Sequence, residues 1–198
     1  MDKRAIVCKR ILDDCADLLK GYHFPISKNK SLDNQNSMLK MLTLKNVRQL
    51  IDGKEITYSN IKYEPKYNKE IQYIKQFDII IPTAVGQGNQ FDVMYIENKL
   101  DDEYCYNDTV LVIRVREDVI SSKYLYIQLK SKEIQDKLLD IAKGSTILHI
   151  SKKDLSNIDI PIYEEEVMKQ ICKEYDKIQK NKKKIENDEQ QFWNNLNK

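Results

Sequence analysis

The order of apolar and polar positions changes character along the chain, and each change predicts a different kind of element. In residues 3–20, Ile6, Ile11, Leu12, Cys15, Leu18 and Leu19 recur at mixed three- and four-residue spacings. That spacing predicts an amphipathic helix, closed by Gly21 as its C-terminal cap. Residues 22–37 are polar and carry Pro25, Asn29, Asp33, Asn34 and Asn36, the composition of an exposed loop. From 38 to 116, short apolar runs are broken by turn residues. They predict strands over Leu39–Leu44, Ile56–Ile61, Asp78–Pro82, Phe91–Ile96 and Thr109–Val115.

The last third returns to helical periodicity. Ser121–Ala142 opens with serines and places Leu125, Leu129, Ile134, Leu138 and Ile141 along a face, which predicts one helix. Residues 143–150 read as a loop with a short strand. Ser151-Lys152-Lys153-Asp154 has the form of a capping box, in which the serine accepts backbone N–H groups and the aspartate reaches back. A short element leads to Pro161, and a long charged helix follows from about Glu164 to Asn197.

Within that final helix Ile171, Ile178, Ile185 and Phe192 stand seven residues apart, the seam of a helix that packs lengthwise on another. The alternate seam position holds Tyr175, Lys182, Glu189 and Leu196. A parallel pair would set like charges against each other there, whereas an antiparallel pair offsets Lys182 toward Glu189. A single helix docked on its own domain would show the same spacing. The nearly all-basic run 180–184 speaks against complete docking.

Composition narrows the class. The 198 residues suffice for one sizeable domain and an extension, and 41% hydrophobic with 32% charged residues describes an ordered, soluble chain. Net charge is only +2, so any basic face must be local. Cys8, Cys15, Cys105 and Cys172 are scattered without a CxxC pair, which excludes the usual zinc spacings and predicts free thiols. No N-terminal apolar run resembles a signal peptide, and no stretch of about 18 apolar residues could span a membrane. These features predict a cytoplasmic protein with no membrane association.

Candidate chemistry is sparse. Gly86-Gln87-Gly88-Asn89-Gln90 lacks the GK[ST] ending of a phosphate loop. Its Gln87, Asn89 and Gln90 carry amides that can pair bidentately with an adenine edge, although an ordinary surface turn would look the same. Lys143, Ser145 and Thr146, with His149, Lys152 and Lys153, offer cations and hydroxyls for phosphate contact. Lys28, Lys30, Lys45 and Asn46 can do the same from another side; a solvated surface lysine remains the alternative for each. Among the twelve tyrosines, Tyr63, Tyr67 and Tyr73 sit in a polar stretch where they can pack beside DNA, and Tyr124 and Tyr126 fit the core. Glu97-Asn98-Lys99 with Asp78 upstream has the form of a metal-dependent nuclease motif, but such strings are frequent in so charged a chain. His23 and His149 are too few and too separated for a metal site or triad.

Several pieces, taken in order, carry a family likeness. They are Leu12-Asp13-Asp14 leading to Gly21, Thr43-Leu44-Lys45-Asn46-Val47, and Phe77-Asp78-Ile79-Ile80-Ile81-Pro82. Tyr124-Leu125-Tyr126 with Leu129 and Ser131 follows, then Gly144-Ser145-Thr146, Ile150-Ser151-Lys152-Lys153-Asp154-Leu155 and Ile158-Asp159-Ile160-Pro161. Together they resemble half of a DNA-specificity subunit of a type I restriction-modification system. Two departures stand. Glu164-Glu165-Glu166 with a displaced Gln170 replaces the usual EEQ, and there is one recognition unit where the family normally has two.

The resemblance implies an α+β target-recognition domain at 1–161, built on a twisted mixed sheet with flanking helices. A long coiled-coil-type helix at 162–198 follows. It implies a non-catalytic chain that selects a sequence in double-stranded DNA and positions an adenine methyltransferase, with a restriction subunit able to join. The chain itself is expected to hold no metal and no cofactor, S-adenosylmethionine belonging to the methyltransferase. With one recognition unit, a homodimer through Ile171, Tyr175, Ile178, Lys182, Ile185 and Phe192 would supply the missing half. A nuclease using Asp78, Glu97 and Lys99, or a coiled-coil adaptor without DNA binding, are the rival readings.

Overall fold

The computed structural model describes residues 6–22, 38–51, 57–62 and 71–196. It divides into two compact units, Arg10–Ile160 and Met1–Lys9 with Pro161–Lys198.

The predicted N-terminal helix is instead β1 (Cys8–Ile11), a single turn α1 (Leu12–Cys15) and β2 (Ala16–Lys20). In β2, Ala16 and Leu18 are buried while Asp17 is exposed and Leu19 half-buried, a period of two that ends at the exposed Lys20. Over so few residues the apolar spacing fits both periods, and tertiary pairing decides. Gly21 is likewise no helix cap. A Cβ there would run into the backbone carbonyl of Asn107, so the position needs glycine for close approach of two chain segments.

Next come β3 (Met38–Leu42), α2 (Leu44–Ile51) and β4 (Ser59–Lys62). The expected strand 39–44 therefore stops short and turns into a helix. Asn46 makes the turn: its Oδ1 accepts from Thr43 N–H at 2.9 Å and from Thr43 Oγ1 at 2.6 Å. Then follow β5 (Ile79–Pro82), β6 (Ala84–Gly86), β7 (Met94–Tyr95), β8 (Tyr104–Tyr106) and β9 (Val110–Val115).

Strands β2, β9, β5 and β7 form an antiparallel four-stranded sheet in that order. The central run Ile79-Ile80-Ile81 is buried on both faces, which explains its lack of alternation. Register is pinned by Asp78, immediately before β5. It accepts from Arg114 Nε at 2.9 Å and Nη2 at 2.8 Å, and from the Lys75 N–H at 2.7 Å. The mixed character expected of the sheet resides in a second, three-stranded one, where β3 runs antiparallel to β4 and parallel to β8. Leu42, Val47, Ile80, Met94, Tyr104, Tyr106 and Val112 share one core, bringing both sheets and α2 together. The Tyr106 hydroxyl is buried there with no hydrogen-bond partner among the described residues.

The single helix predicted for 121–142 is two: α3 (Ser122–Leu129) and α4 (Lys132–Ile141). Ser131 ends one and caps the next, accepting from Ile134 N–H at 3.3 Å. Tyr124 is buried as expected, whereas Tyr126 is only partly so and stacks on Tyr95 at 5.2 Å. The unit ends with β10 (Ile147–His149), α5 (Lys152–Ser156) and the first half of β11 (Asp159–Ile162). Within it, Leu12 N–H donates to Ile158 O at 2.9 Å.

In the smaller unit, Val7 N–H donates to Ile162 O at 2.9 Å. Its main element is α6 (Glu165–Leu196), 32 residues with none buried. At 1.5 Å per residue it extends about 48 Å. Lys169 ties its first turn together through Glu165 at 2.7 Å and Glu166 at 3.3 Å.

Candidate nucleic-acid interface

Two segments some sixty residues apart in sequence, named above on separate grounds, meet in the fold. Strand β6 pairs antiparallel with β10, setting Gly86 opposite Ile147, Val85 opposite Leu148 and Ala84 opposite His149. Beyond the paired strands, Gln87 N–H donates to Thr146 O at 3.0 Å. The turn carrying Gln87, Asn89 and Gln90 therefore lies directly against the segment carrying Lys143, Ser145 and Thr146. All six of these residues are exposed.

Both turns are fixed by glycine. Gly144 has φ +135°, and a Cβ there would strike the Ile147 carbonyl. Gly88 has φ +82° with open space around it, so its requirement is conformational rather than steric. Lys143 and His149 close the second turn by exchanging backbone hydrogen bonds at 2.9 and 2.8 Å. Ile150 N–H continues the link by donating to Thr83 O at 3.0 Å.

Helix α5 starts two residues later and presents Lys152 and Lys153 to solvent. The predicted capping box forms: Ser151 Oγ accepts from Asp154 N–H at 3.1 Å and donates to Asp154 Oδ2 at 2.5 Å. The Ser151 hydroxyl, and then the charge of Lys143, hold the Asp154 carboxyl below the ordinary range. Asp154 stays ionised and is held by Ser151, with Lys143 Nζ at 3.7 Å.

Helix α2 borders the same region. Leu44 and Arg48 line a cleft with Pro82, Gly86, Asn89 and Gln90. Lys45 is exposed on this helix. Asn46, expected to contact DNA, is largely buried, and its amide is spent inside the fold. Besides accepting from Thr43, it donates through Nδ2 to Thr57 Oγ1 at 2.8 Å and to Gln49 Oε1 at 3.3 Å. Lys28, Lys30, Tyr63 and Tyr67 lie outside the described residues. Tyr73 is partly buried beside the sheet, and its carbonyl accepts from Arg114 Nη2 at 2.8 Å.

Arg48 escapes a reading of the sequence that takes Leu44 as the end of a strand. Its neighbourhood is set by the helical spacing Leu44, Val47, Ile51, which was the available signal. Arg48 Nε donates to Asp92 Oδ2 at 2.8 Å.

The nuclease-like set is not arranged for metal. Asp78 is 2% exposed with both oxygens occupied by Arg114, while Glu97 faces solvent and pairs with Lys123 at 3.4 Å. Asp78 is a structural anion.

On α6, Ile171 and Tyr175 are partly buried, but Ile178, Ile185 and Phe192 are 52%, 64% and 58% exposed, and Lys182 is exposed. Trp193, which the heptad count passes over, meets Phe192 edge-on at 5.2 Å.

Residues 8–191 match the sequence profile of the type I restriction modification DNA specificity domain. The chain belongs to that family. Among solved structures, it resembles the type I restriction-modification S subunit from M. genitalium at 18% identity and TM-score 0.52, over 87% of this chain and 38% of that one. The HsdS subunit from Thermoanaerobacter tengcongensis matches at 19% identity and TM-score 0.55, over 88% of this chain and 37% of that one. A chain from a structure titled for complex assembly and conformational transition of the type I R-M system matches equally, at 19% and 0.55, over 88% and 38%. These likenesses establish a shared fold, and the chain spans under two fifths of those subunits' length. No curated protein matches it. Among the described residues, no helix is long and apolar enough to cross a membrane.

Proposed function

We propose that this chain reads a specific sequence in duplex DNA and holds an adenine methyltransferase on it, without chemistry of its own. The observation that carries this reading is the Gln87–Thr146 backbone bond, which gathers base-reading amides and phosphate-binding groups on one face. Amides at Gln87, Asn89 and Gln90 suit base edges. Lys143, Lys152 and Lys153, with the Ser145 and Thr146 hydroxyls and Lys45 nearby, suit the backbone. The recognition domain is taken as 1–161 and the helix as 162–198. S-adenosylmethionine would reside in the methyltransferase alone, a restriction subunit can join, and the assembly would work in the cytoplasm.

One recognition unit reads half a site. The exposed seam of α6 supplies the other half by pairing two copies, antiparallel so that Lys182 approaches Glu189. Two-fold symmetry then requires a palindromic site in two halves.

The test separates the two kinds of contact. Replacing Gln87, Asn89 and Gln90 together with alanine should flatten the base preference recovered from a randomised duplex pool, at about 1–3 kcal/mol of discrimination for each bidentate pairing removed. Replacing Lys152 and Lys153 should instead weaken binding to all sequences and make the log–log salt slope shallower by roughly 0.9 for each phosphate no longer neutralised. A triple variant with an unchanged preference would move recognition to another loop.

A further inference from the structure

We infer that Arg48 is a specificity-determining residue that reads a guanine edge, an assignment that rests on the duplex-recognition reading above. Val47 is fully buried in the core and fixes the rotation of α2. Leu44 and Arg48, one turn apart on that helix, consequently line the cleft against Gly86, Asn89 and Gln90. Arg48 thus stands beside the amide-bearing turn.

The way Arg48 is held matters more than its position. Asp92 Oδ2 takes the Nε–H at 2.8 Å. Among the described residues, neither terminal nitrogen of Arg48 has an acceptor. Arg114 shows the contrasting case: its Nε and Nη2 are both committed to Asp78, and Nη2 also to Tyr73 O. Arg48 is anchored at the stem and open at the fork. A guanidinium anchored this way offers two parallel N–H donors, the geometry that matches guanine O6 and N7 in the major groove. The adjoining amides match adenine, so the cleft edge presents readers for both purines.

An exposed ion pair of this kind contributes little to stability. Both partners are about half exposed, at 54% and 46%, so changing either leaves the fold intact. What the pair does is orient: holding Nε removes rotamers that the side chain would otherwise lose on binding DNA.

The experiment is selection of a randomised duplex pool at low salt by the full chain, alone and with a methyltransferase present, followed by sequencing. In Arg48→Ala, the preference for guanine at one position should fall roughly 5- to 100-fold, with the other positions unchanged. Arg48→Lys keeps the charge but not the fork and should lose the same preference. Asp92→Asn should weaken it by a smaller factor. An Arg48→Ala profile identical to wild type would overturn the inference while leaving recognition by the other residues in place. Equal loss of affinity for every sequence, restored by lysine, would also overturn it and make Arg48 a phosphate anchor. A wild-type chain with no preferred sequence under either condition would overturn the recognition reading itself, and this inference with it.

Discussion

The two units treat their apolar residues in opposite ways. In Arg10–Ile160, the isoleucines of β5 and the residues Leu125, Leu129 and Leu138 of α3 and α4 are fully enclosed, and even the ionised Asp78 is satisfied on both oxygens. In α6 no residue is buried, and Ile178, Ile185, Phe192, Trp193 and Leu196 all face outward. An isolated helix gains little from propensity alone and draws its stability from a packed apolar face. The first unit holds the elements of its own stability. The helix carries exposed apolar seam residues, which the proposed homodimer would bury.

The sharpest way to break that contrast is to charge the seam. Replacing Ile178 and Ile185 with aspartate would bury uncompensated carboxylates in any paired helix, raising the dimer dissociation constant about a thousandfold or more. Sedimentation should then show a single chain of about 23.4 kDa, while the melting of the recognition unit stays unchanged. A wild-type protein that is already monomeric at micromolar concentration would remove the homodimer and leave the seam to a partner subunit.

The next effect falls on the other side of the comparison. Asp78→Ala strips Arg114 of its partner inside the sheet and should cost about 3 kcal/mol in urea unfolding. The dimer constant should not move with it. If the loss were under about 0.5 kcal/mol, far below the range for breaking a buried pair, Asp78 would not be the lock on β5 and β9. The smallest effect concerns Tyr106, whose hydroxyl sits in the core without a partner among the described residues and whose pKa is driven up chiefly by burial. Tyr106→Phe should be neutral or stabilising by up to about 1 kcal/mol. Clear destabilisation would show that the hydroxyl is engaged after all.

Legibility in the sequence followed the length and purity of each pattern. Strands β5 and β9 are nearly uniform apolar runs, and they stand within a residue of where the sequence places them. The Ser151–Asp154 cap was readable because all its groups are local. The N-terminal stretch failed because its apolar spacing reads as one helix, whereas only Leu12–Cys15 form a helical turn and pairing with β9 makes Ala16–Lys20 a strand. Strand β8 escaped because three residues beside the acidic turn 101–103 carry almost no signal. For the site, the side chains were visible and their meeting was not: the pairing of residue 86 with residue 147 is long-range. Asn46 misled for a related reason, since a polar residue near lysines reads as surface until its four internal hydrogen bonds are seen.

The link between β6 and β10 has an evolutionary consequence. The hydrogen bonds that join the two turns are made by main-chain atoms, and the special conformations sit on Gly88 and Gly144. Side chains at 87, 89, 90, 145 and 146 contribute nothing to that frame, so they are interchangeable type on a fixed press. Under the proposed function, a lineage changing its target would replace these letters one at a time without disturbing the main-chain frame.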